Sequence, residues 1–198
     1  MKYVIMADGD MKRWRTDCDT PKHLLRVGGE TLLERLVRQL HENDETAQVI
    51  ITSHDRRYEV PGATRYEPRN NHLEIDRFTW ELIQDDICFL YGDTYYTDEA
   101  VRTICRTMTD ALHFVGTDRS IVAVVAHDAE LLRRHILQAR EAFLSGAIQE
   151  CRGWQVYQSY VGQAFGPPRI GPAFTRLSDG TCGFNTWQDY QIFLERGK

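Results

Sequence analysis

Short apolar runs alternate with helical patterns along this chain, and this alternation is what most constrains its fold. Four runs have the length and β-branched content of buried strands: "KYVIMA", "AQVIITSH", "ICFLYGD" and "SIVAVVAHD". Helical patterns of about 10–15 residues separate them, which predicts right-handed crossover connections. We therefore expect a three-layer α/β fold, in which helices cover both faces of a Rossmann-like, mostly parallel sheet.

The clearest helix is predicted over "TLLERLVRQL", where Thr31 and Glu34 form a capping box and five apolar residues share one face. Other helical patterns run through "LEIDRFTWELI", from Thr97 as far as Leu112, and along residues 131–143. These patterns supply the helices that the predicted crossovers require.

The C-terminal third has a different pattern. Between Gly153 and Gly183, aromatic residues, glycines and the sequence "FGPPRIGP" predict antiparallel strands and a loop, as a small addition to the main sheet. A final helix is predicted over "TWQDYQIFLER", with Thr186 and Asp189 in cap positions.

Composition limits the classes of protein to which the chain can belong. Its 198 residues contain no recognisable linker or repeat, so residues 1–198 are expected to form one domain. A net charge of −5 argues against sequence-independent binding to nucleic acid. Five cysteines without a C-x-x-C pair, and no apolar stretch near about 18 residues, predict a cytoplasmic protein without a membrane segment. A homodimer is left open.

Candidate site residues follow the predicted strands, because ligands of open parallel sheets bind beyond the carboxyl ends of the strands. The first such segment is "MADGDMKRW", in which Asp8 and Asp10 flank Gly9. Two interpretations of these acids are open, and they name different phosphate chemistries.

In the first interpretation, Asp8 is a nucleophile. A D-x-D after the first strand, a hydroxyl residue ending the next and a later acidic pair resemble the haloacid dehalogenase-type phosphatases, in which magnesium assists attack by a carboxylate on phosphorus. The matching residues are Asp8, Asp10, Thr52 or Ser53, Asp93 and Asp98. Against it, Lys12 and Arg13 replace the family's hydroxyl or aliphatic residue and its apolar neighbour, and residues 54–92 lack the expected lysine.

In the second interpretation, the opening segments form one motif. "MADGDMKRW" followed by "PKHLLRVGGETLLERL" resembles the nucleotidyltransferases that make nucleotide sugars and related activated alcohols, whose pattern is L-A-A-G-x-G-x-R-M and then P-K-x-L-L. Asp8 and Met11 depart from this pattern. The residues in step with it are Ala7, Gly9, Arg13, Pro21, Lys22, Leu24, Leu25, Val27, Gly29, Leu32 and Leu33.

Three later segments extend this resemblance along the chain. "FLYGDTYY" is similar to the family strand that ends in a metal-binding aspartate, here Asp93. "RNNHLEIDRF" is similar to a loop of the phosphocholine cytidylyltransferase branch, with Asn70 and Asn71 as its asparagine pair. "GFNTWQDY" is similar to the family's closing motif and places Asn185 at a second metal position, although Gly183 replaces its first acid.

The resemblance implies transfer of a nucleoside monophosphate from a nucleoside triphosphate, with CTP preferred, to a small phosphorylated alcohol or sugar phosphate, and release of pyrophosphate. Met11 and Gly183 would instead suit a silent nucleotide-binding module of the same fold. The site residues implied are the catalytic cations Arg13 and Lys22, the nucleotide-binding residues Ala7, Asp8, Gly9, Asn70 and Asn71, and the Mg²⁺ ligands Asp93 and Asn185.

Overall fold

A computed structural model describes residues 1–9, 14 and 20–196. Its strands are β1 (Lys2–Met6), β2 (Arg26–Val27), β3 (Glu30–Thr31), β4 (Gln48–Thr52), β5 (Ala63–Tyr66), β6 (Ile87–Tyr91), β7 (Thr94–Tyr95), β8 (Leu112–Gly116), β9 (Ile121–Ala126), β10 (Phe174–Arg176) and β11 (Cys182–Gly183). Its helices are α1 (Leu32–Asn43), α2 (Asp98–Cys105), α3 (Ala129–Leu144), α4 (Gly153–Tyr160) and α5 (Trp187–Arg196). Within these ranges, no helix combines the length and the apolar character needed to cross a membrane.

Seven strands form one sheet in the order β10-β8-β9-β6-β1-β4-β5. The predicted mostly parallel sheet is confirmed, since β9 alone among these seven runs antiparallel to its neighbours β6 and β8. The reversal follows from a short hairpin between β8 and β9, in which Thr117 N donates to Ser120 O at 2.8 Å. A connection this short can join only antiparallel strands.

Helices cover both faces of the sheet, as predicted. On one face, α1 and α2 pack against it through buried aliphatic residues such as Leu36 and Val101. On the other face, α3 and α4 do so through residues such as Ile136 and Tyr157. A third apolar cluster, formed by Trp14, Leu25, Leu32, Phe184 and Tyr190, holds α5 and the segment before it. The last cluster positions the C-terminal motif beside the sheet.

The predicted caps of α1 and α5 are confirmed. Thr31 Oγ1 accepts from Glu34 N at 3.1 Å, and Thr31 N donates to Glu34 Oε2 at 2.8 Å. At α5, Thr186 Oγ1 accepts from Asp189 N at 3.2 Å, and Thr186 N donates to Asp189 Oδ2 at 2.8 Å. Each cap satisfies backbone donors that a helix start would otherwise leave unpaired.

The helix predicted from Thr97 to Leu112 is shorter in the structure. It ends at Cys105, and Leu112 opens strand β8 instead. Thr107 Oγ1 donates to Thr103 O at 2.9 Å, and Thr109 Oγ1 accepts from Ala111 N at 3.3 Å. Threonine side chains that bond nearby backbone in this way compete with helical hydrogen bonds, so they favour a loop here.

Residues 73–83 form two 3₁₀ turns, Glu74–Arg77 and Trp80–Leu82, and not the continuous helix that their pattern predicts. The buried Asp76 carboxylate accepts from His72 N at 3.0 Å and from Leu73 N at 2.8 Å. These bonds tie the carboxylate to its own preceding backbone and hold a tight turn there.

The antiparallel strands predicted between Gly153 and Gly183 are wrong for most of that segment. It contains helix α4, and strand β10 pairs parallel to β8. Residues 153–158 are all buried, so α4 has almost no polar face and shows no amphipathic pattern in the sequence. Only the short β7–β11 pair, Cys182 with Tyr95 and Gly183 with Thr94, forms the predicted antiparallel addition.

A buried histidine fixes the 3₁₀ turn Lys22–Leu24, which carries Lys22. The His23 ring is 3% exposed, and its Nδ1 lies 3.1 Å from the Tyr58 hydroxyl. A Cβ on Gly92 would lie 3.1 Å from His23 Cδ2, so glycine leaves room for the ring. Burial lowers the pKa of His23 to about 4, against a smaller opposing effect of Asp93. The ring is therefore neutral at neutral pH.

We predict that protonation of His23 destabilises the fold in acid. The unfolded chain takes up this proton near pH 6.5 and the folded chain only near pH 4, so the free energy of unfolding falls as pH drops through that window. The loss attributable to this ring reaches about 3 kcal/mol. Denaturant unfolding at several pH values gives the free energy of unfolding as a function of pH. Between pH 6.5 and pH 4 this free energy should fall less steeply for His23→Gln than for the wild type. A His23 ring that titrates near pH 6.5 by NMR would contradict the prediction.

Candidate active site

The carboxyl ends of the neighbouring strands β4, β1 and β6 bring most of the predicted site residues together. Asp8 and Gly9 follow β1, and Asp93 follows β6. Lys22 comes from its 3₁₀ turn and Asn71 from the segment before residues 73–83. The predicted Arg13, with Asp10, Met11 and Lys12, lies outside the described residues.

Lys22 and Asp93 form an ion pair at the centre of this site. Lys22 Nζ donates to Asp93 Oδ2 at 2.6 Å, and the two side chains are 14% and 23% exposed. Burial raises the pKa of the Asp93 carboxyl, but the charge and hydrogen bond of Lys22, with a further contribution from Arg77, hold it below its usual range. Asp93 is therefore an ionised carboxylate whose second oxygen, Oδ1, accepts no hydrogen bond in the described part of the chain.

Asp8 joins three segments through its carboxylate. Its Oδ1 accepts from His54 N at 2.9 Å, and its Oδ2 accepts from Asn71 Nδ2 at 2.8 Å. His54 Nδ1 also lies 2.8 Å from Oδ2. The Asp8 side chain is 12% exposed. Both oxygens are thus engaged in holding the loops after β1 and β4 to the segment that contains Asn71.

Among the described residues of the phosphatase interpretation, Asp98, Thr52 and Ser53 make hydrogen bonds with groups other than Asp8, and Asp10 lies outside the described residues. Asp98 Oδ1 accepts from Arg35 at 3.1 Å and from Gln39 at 2.6 Å, so residues of α1 hold it at the start of α2. The Thr52 hydroxyl donates to Ile5 O at 3.4 Å within the sheet, and Ser53 Oγ accepts from Asp55 N at 3.0 Å. This geometry does not present Asp8 as a nucleophile.

In a nucleotide-binding loop after β1, backbone amides from Ala7 onward are expected to form a cradle for phosphate groups. Ala7 N donates to Thr52 O at 3.1 Å and extends the sheet by one residue, so this amide is not available to a ligand. The amides of Asp8 and Gly9 have no acceptor among the described residues. Of the predicted cradle within the described ranges, these two amides are the ones that a phosphate could reach.

Glycine at position 9 has a steric cause. Its φ is not in the left-handed region, where glycine would be favoured. A Cβ at this position would lie 3.0 Å from both Cζ and Nη2 of Arg77. The Arg77 guanidinium therefore lies directly against the backbone of the β1 loop, and a side chain at position 9 would displace it.

Arg77 was not predicted from the sequence as a site residue. In the predicted helix over "LEIDRFTWELI" it would be one of several surface charges. The two 3₁₀ turns that replace this helix aim it at Gly9. In the sequence, Arg77 is distinguished by its position six residues after Asn71, and this position points to the site only when the turn geometry is known.

The asparagine pair divides between two locations. Asn71 contacts Asp8 and therefore lies beside the loop after β1. Asn70 instead borders a cavity of about 220 Å³ between this segment and α3, with Phe78, Trp80 and Ile136 among the lining residues. Its buried Oδ1 has no partner in the described part of the chain.

The two residues before Asn185 pair with the backbone of the segment that carries Asp93. Phe184 N donates to Asp93 O at 3.1 Å, and the preceding Gly183 pairs with Thr94. The backbone N of Asn185 donates to Asp189 Oδ2 at 3.1 Å, so this residue also takes part in the α5 cap. Its exposed side chain makes no hydrogen bond among the described residues.

The oxygens at this corner fit a magnesium ion that is held largely by substrate. Within the described ranges, no group of three or more His, Cys, Asp or Glu side chains is arranged to hold a metal. Asp93 Oδ1 and the amide oxygen of Asn185 are hard ligands that accept no hydrogen bond from the described residues. Magnesium commonly takes one or two protein oxygens and completes its octahedron with phosphate oxygens and water. The donor set suits that arrangement and would not hold the ion by itself.

No family model and no curated protein matches this chain. Solved structures do match it over its whole length. CTP:phosphocholine cytidylyltransferase from Streptococcus pneumoniae has a TM-score of 0.63 and 16% identity, and the match covers 100% of this chain and 99% of that one.

Two further solved structures also match this chain over its whole length. The inositol-1-phosphate CTP transferase from T. maritima has a TM-score of 0.58 and 12% identity, with 100% of this chain and 95% of that chain covered. A CMP:2-keto-3-deoxy-manno-octonic acid synthetase, determined with CTP, has a TM-score of 0.61 and 13% identity, with 100% and 98% covered. The resemblance inferred from the sequence is confirmed at the level of architecture: this chain has the nucleotidyltransferase fold.

Proposed function

We propose that this protein is a nucleotidyltransferase that transfers a nucleoside monophosphate from a nucleoside triphosphate to a small phosphorylated alcohol or sugar phosphate. The observation that carries the proposal is the Lys22–Asp93 ion pair, which lies beside the Asp8–Gly9 loop at the carboxyl ends of β1 and β6. The pair combines a phosphate-binding cation with a carboxylate that has a free oxygen. Such a pair meets the two main demands of phosphoryl chemistry, charge neutralisation and positioning.

In the proposed reaction, an oxygen of the acceptor's phosphate attacks the α-phosphorus, and the bond to the bridging oxygen of pyrophosphate breaks. The acceptor oxygen is already anionic, so no covalent enzyme intermediate and no general base are required. Lys22, held in place by Asp93, stabilises negative charge around the α-phosphorus. The amides of Asp8 and Gly9 donate to phosphate oxygens, and Arg13 is the proposed clamp on the β- and γ-phosphates.

Magnesium is the proposed cofactor, with Asp93 and Asn185 as its protein ligands. When bound with the triphosphate, it would neutralise charge on the phosphate oxygens. Asp93 has a distinct part that does not depend on the ion, because its Oδ2 orients the Lys22 ammonium. Asp8 is proposed as a residue that fixes the nucleotide loop and not as a reacting group.

Cytidine triphosphate is the proposed nucleotide. The names of three of the matched structures mention CTP or CMP as substrate, ligand or product. Asn71 is held against the loop after β1. The segment that contains Asn71 resembles a loop of the phosphocholine cytidylyltransferases, and its proposed role is to border the base. The segment from 153 to 183 is short and is partly used by the buried helix α4, which favours a small acceptor.

Incubation of the protein with magnesium, each of the four common triphosphates and a panel of phosphorylated alcohols and sugars tests the reaction. We expect pyrophosphate release that requires both a triphosphate and an acceptor, and that is fastest with CTP. Phosphate release from a monoester without any triphosphate would favour the phosphatase alternative. Nucleotide binding without either product would leave a silent binding module, and the proposed activity would be wrong.

Removing either partner of the ion pair should lower turnover. We expect Asp93→Asn and Lys22→Ala to reduce kcat on the order of a hundredfold, because each removes one preorganised electrostatic contact of the transition state. Asp98→Asn is a matched control, since this exposed carboxylate is held by α1 and lies outside the proposed site. Steady-state rates of pyrophosphate release measure all three. Wild-type rates in Asp93→Asn and Lys22→Ala would remove the pair from the mechanism.

Asp8→Asn should keep transferase activity within about tenfold of the wild type, since an uncharged amide can still accept from His54 N and occupies the same space. A nucleophilic carboxylate would tolerate no such change. Complete loss of turnover, with thermal unfolding unchanged, would restore Asp8 as the reacting group.

A further inference from the structure

Arg77 lies at the proposed site with most of its hydrogen-bonding capacity unused. Its guanidinium contacts the backbone of Gly9, as the 3.0 Å approach to a built Cβ shows. Its nearest carboxylate is Glu74 Oε1 at 3.6 Å from Nη1, which is an ion pair but is too long for a hydrogen bond. Its Nε is buried without a partner in the described residues. A guanidinium has five N–H donors, and buried donors are normally paired.

The backbone on both sides of Arg77 is fixed. The preceding Asp76 is 4% exposed; it pairs with Arg140 and accepts from two backbone amides of its own turn. The following Phe78 is buried against Phe89, with ring centroids 5.3 Å apart. Arg77 is thus held between two anchors, and its side chain reaches Gly9 without needing a ligand to order it. Such preorganisation is typical of functional arginines.

The surroundings of Arg77 attract anions. It faces the loop whose Asp8 and Gly9 amides have no acceptor among the described residues. Gly9, which the guanidinium contacts, follows β1, and Asp93 follows the neighbouring strand β6, so Arg77 lies at the same edge of the sheet as the Lys22–Asp93 pair. Among the described residues, the cations Lys22 and Arg77 and two amides without an acceptor lie at this corner, together with the Asp93 carboxylate and the Asp8 carboxylate, whose oxygens are already hydrogen-bonded.

We infer that Arg77 binds a phosphate group of the substrates, as a cation contributed by the segment after Asn71 and independent of the motif that contains Lys22. This inference rests on the proposed function and adds a ligand to its site. Forked N–H donors match the oxygens of a phosphate bidentately, which a lysine cannot do. The phosphate belongs to the nucleotide or to the acceptor, and the two sources are separated by experiment.

In the nucleotide arm, calorimetry compares the binding of CTP and cytidine to the wild type, Arg77→Gln and Arg77→Lys. If the phosphate is the nucleotide's, Arg77→Gln weakens CTP binding at least tenfold, Arg77→Lys has a smaller effect, and cytidine binding does not change. In the acceptor arm, the KM for the phosphorylated acceptor that supports turnover rises at least tenfold in Arg77→Gln, while CTP binding is unchanged. Either pattern supports the inference.

Arg69→Gln is the matched control, because it removes an equal charge from an exposed position of the same segment. It should change no affinity by more than about twofold, as expected for an exposed charge at a distance. Arg77→Lys keeps the charge but loses the forked donors, so it should weaken the same phosphate ligand less than Arg77→Gln does. It keeps the test decisive if Arg77→Gln fails to fold.

Three results would overturn the inference. Arg77→Gln could leave both the CTP affinity and the acceptor KM unchanged, or it could weaken cytidine binding as much as CTP binding. Arg69→Gln could also weaken binding as much as Arg77→Gln. A wild-type protein that binds neither CTP nor a phosphorylated acceptor would also overturn it. The failure of the proposed function is distinguishable, because the nucleotide arm measures binding alone. CTP binding that depends on Arg77, without pyrophosphate release, would support the phosphate contact and refute the reaction.

Discussion

The half-buried ion pair between Lys22 and Asp93 is the interaction on which the candidate site depends. It joins two segments that are 71 residues apart, one entering from a 3₁₀ turn and the other leaving β6. Burial disfavours the charge of the Asp93 carboxylate, and Lys22 offsets this effect. The pair therefore keeps a cation and an anion concentrated at one corner of the sheet before any ligand arrives.

The rest of the site is arranged around this pair by contacts that leave it open. Neutral His23 packs behind Lys22 and adds no charge of its own at neutral pH. Asp8 uses its oxygens to hold the neighbouring loops, so it does not compete with Asp93 for a cation. The corner thus combines a rigid frame with unused donors and acceptors, as expected for a site that must receive charged ligands.

The parts of the fold with strong local signals could be predicted from the sequence. Strands β1, β4, β6 and β9, and the capped helices α1 and α5, have periodicity or cap residues that do not depend on distant contacts. Helix α4 could not be predicted, because burial on nearly all sides removes the amphipathic pattern. Leu112, the first residue of strand β8, is predicted as the end of a helix because it continues the apolar period of α2.

In the site, too, residues with a local sequence signal could be predicted, and residues positioned by distant contacts could not. Asp93 is predicted because it follows a predicted strand, and Lys22 because its segment resembles a family motif, but neither signal indicates that the two side chains pair. Arg77 and the separate positions of Asn70 and Asn71 depend on how residues 70–83 fold into tight turns. Those turns are stabilised by the buried Asp76, whose partner Arg140 lies 64 residues away. Local patterns do not contain such information.

The contact between Gly9 and Arg77 has a consequence for sequence variation. The two positions share one small volume, so the residue tolerated at either depends on the other. A larger residue at position 9 becomes compatible with the backbone once position 77 is short, and the energetic effects of the two changes are then not additive. Chains of this fold that carry a larger residue in place of Gly9 should accordingly place the end of a long side chain at the equivalent of position 77 away from this loop.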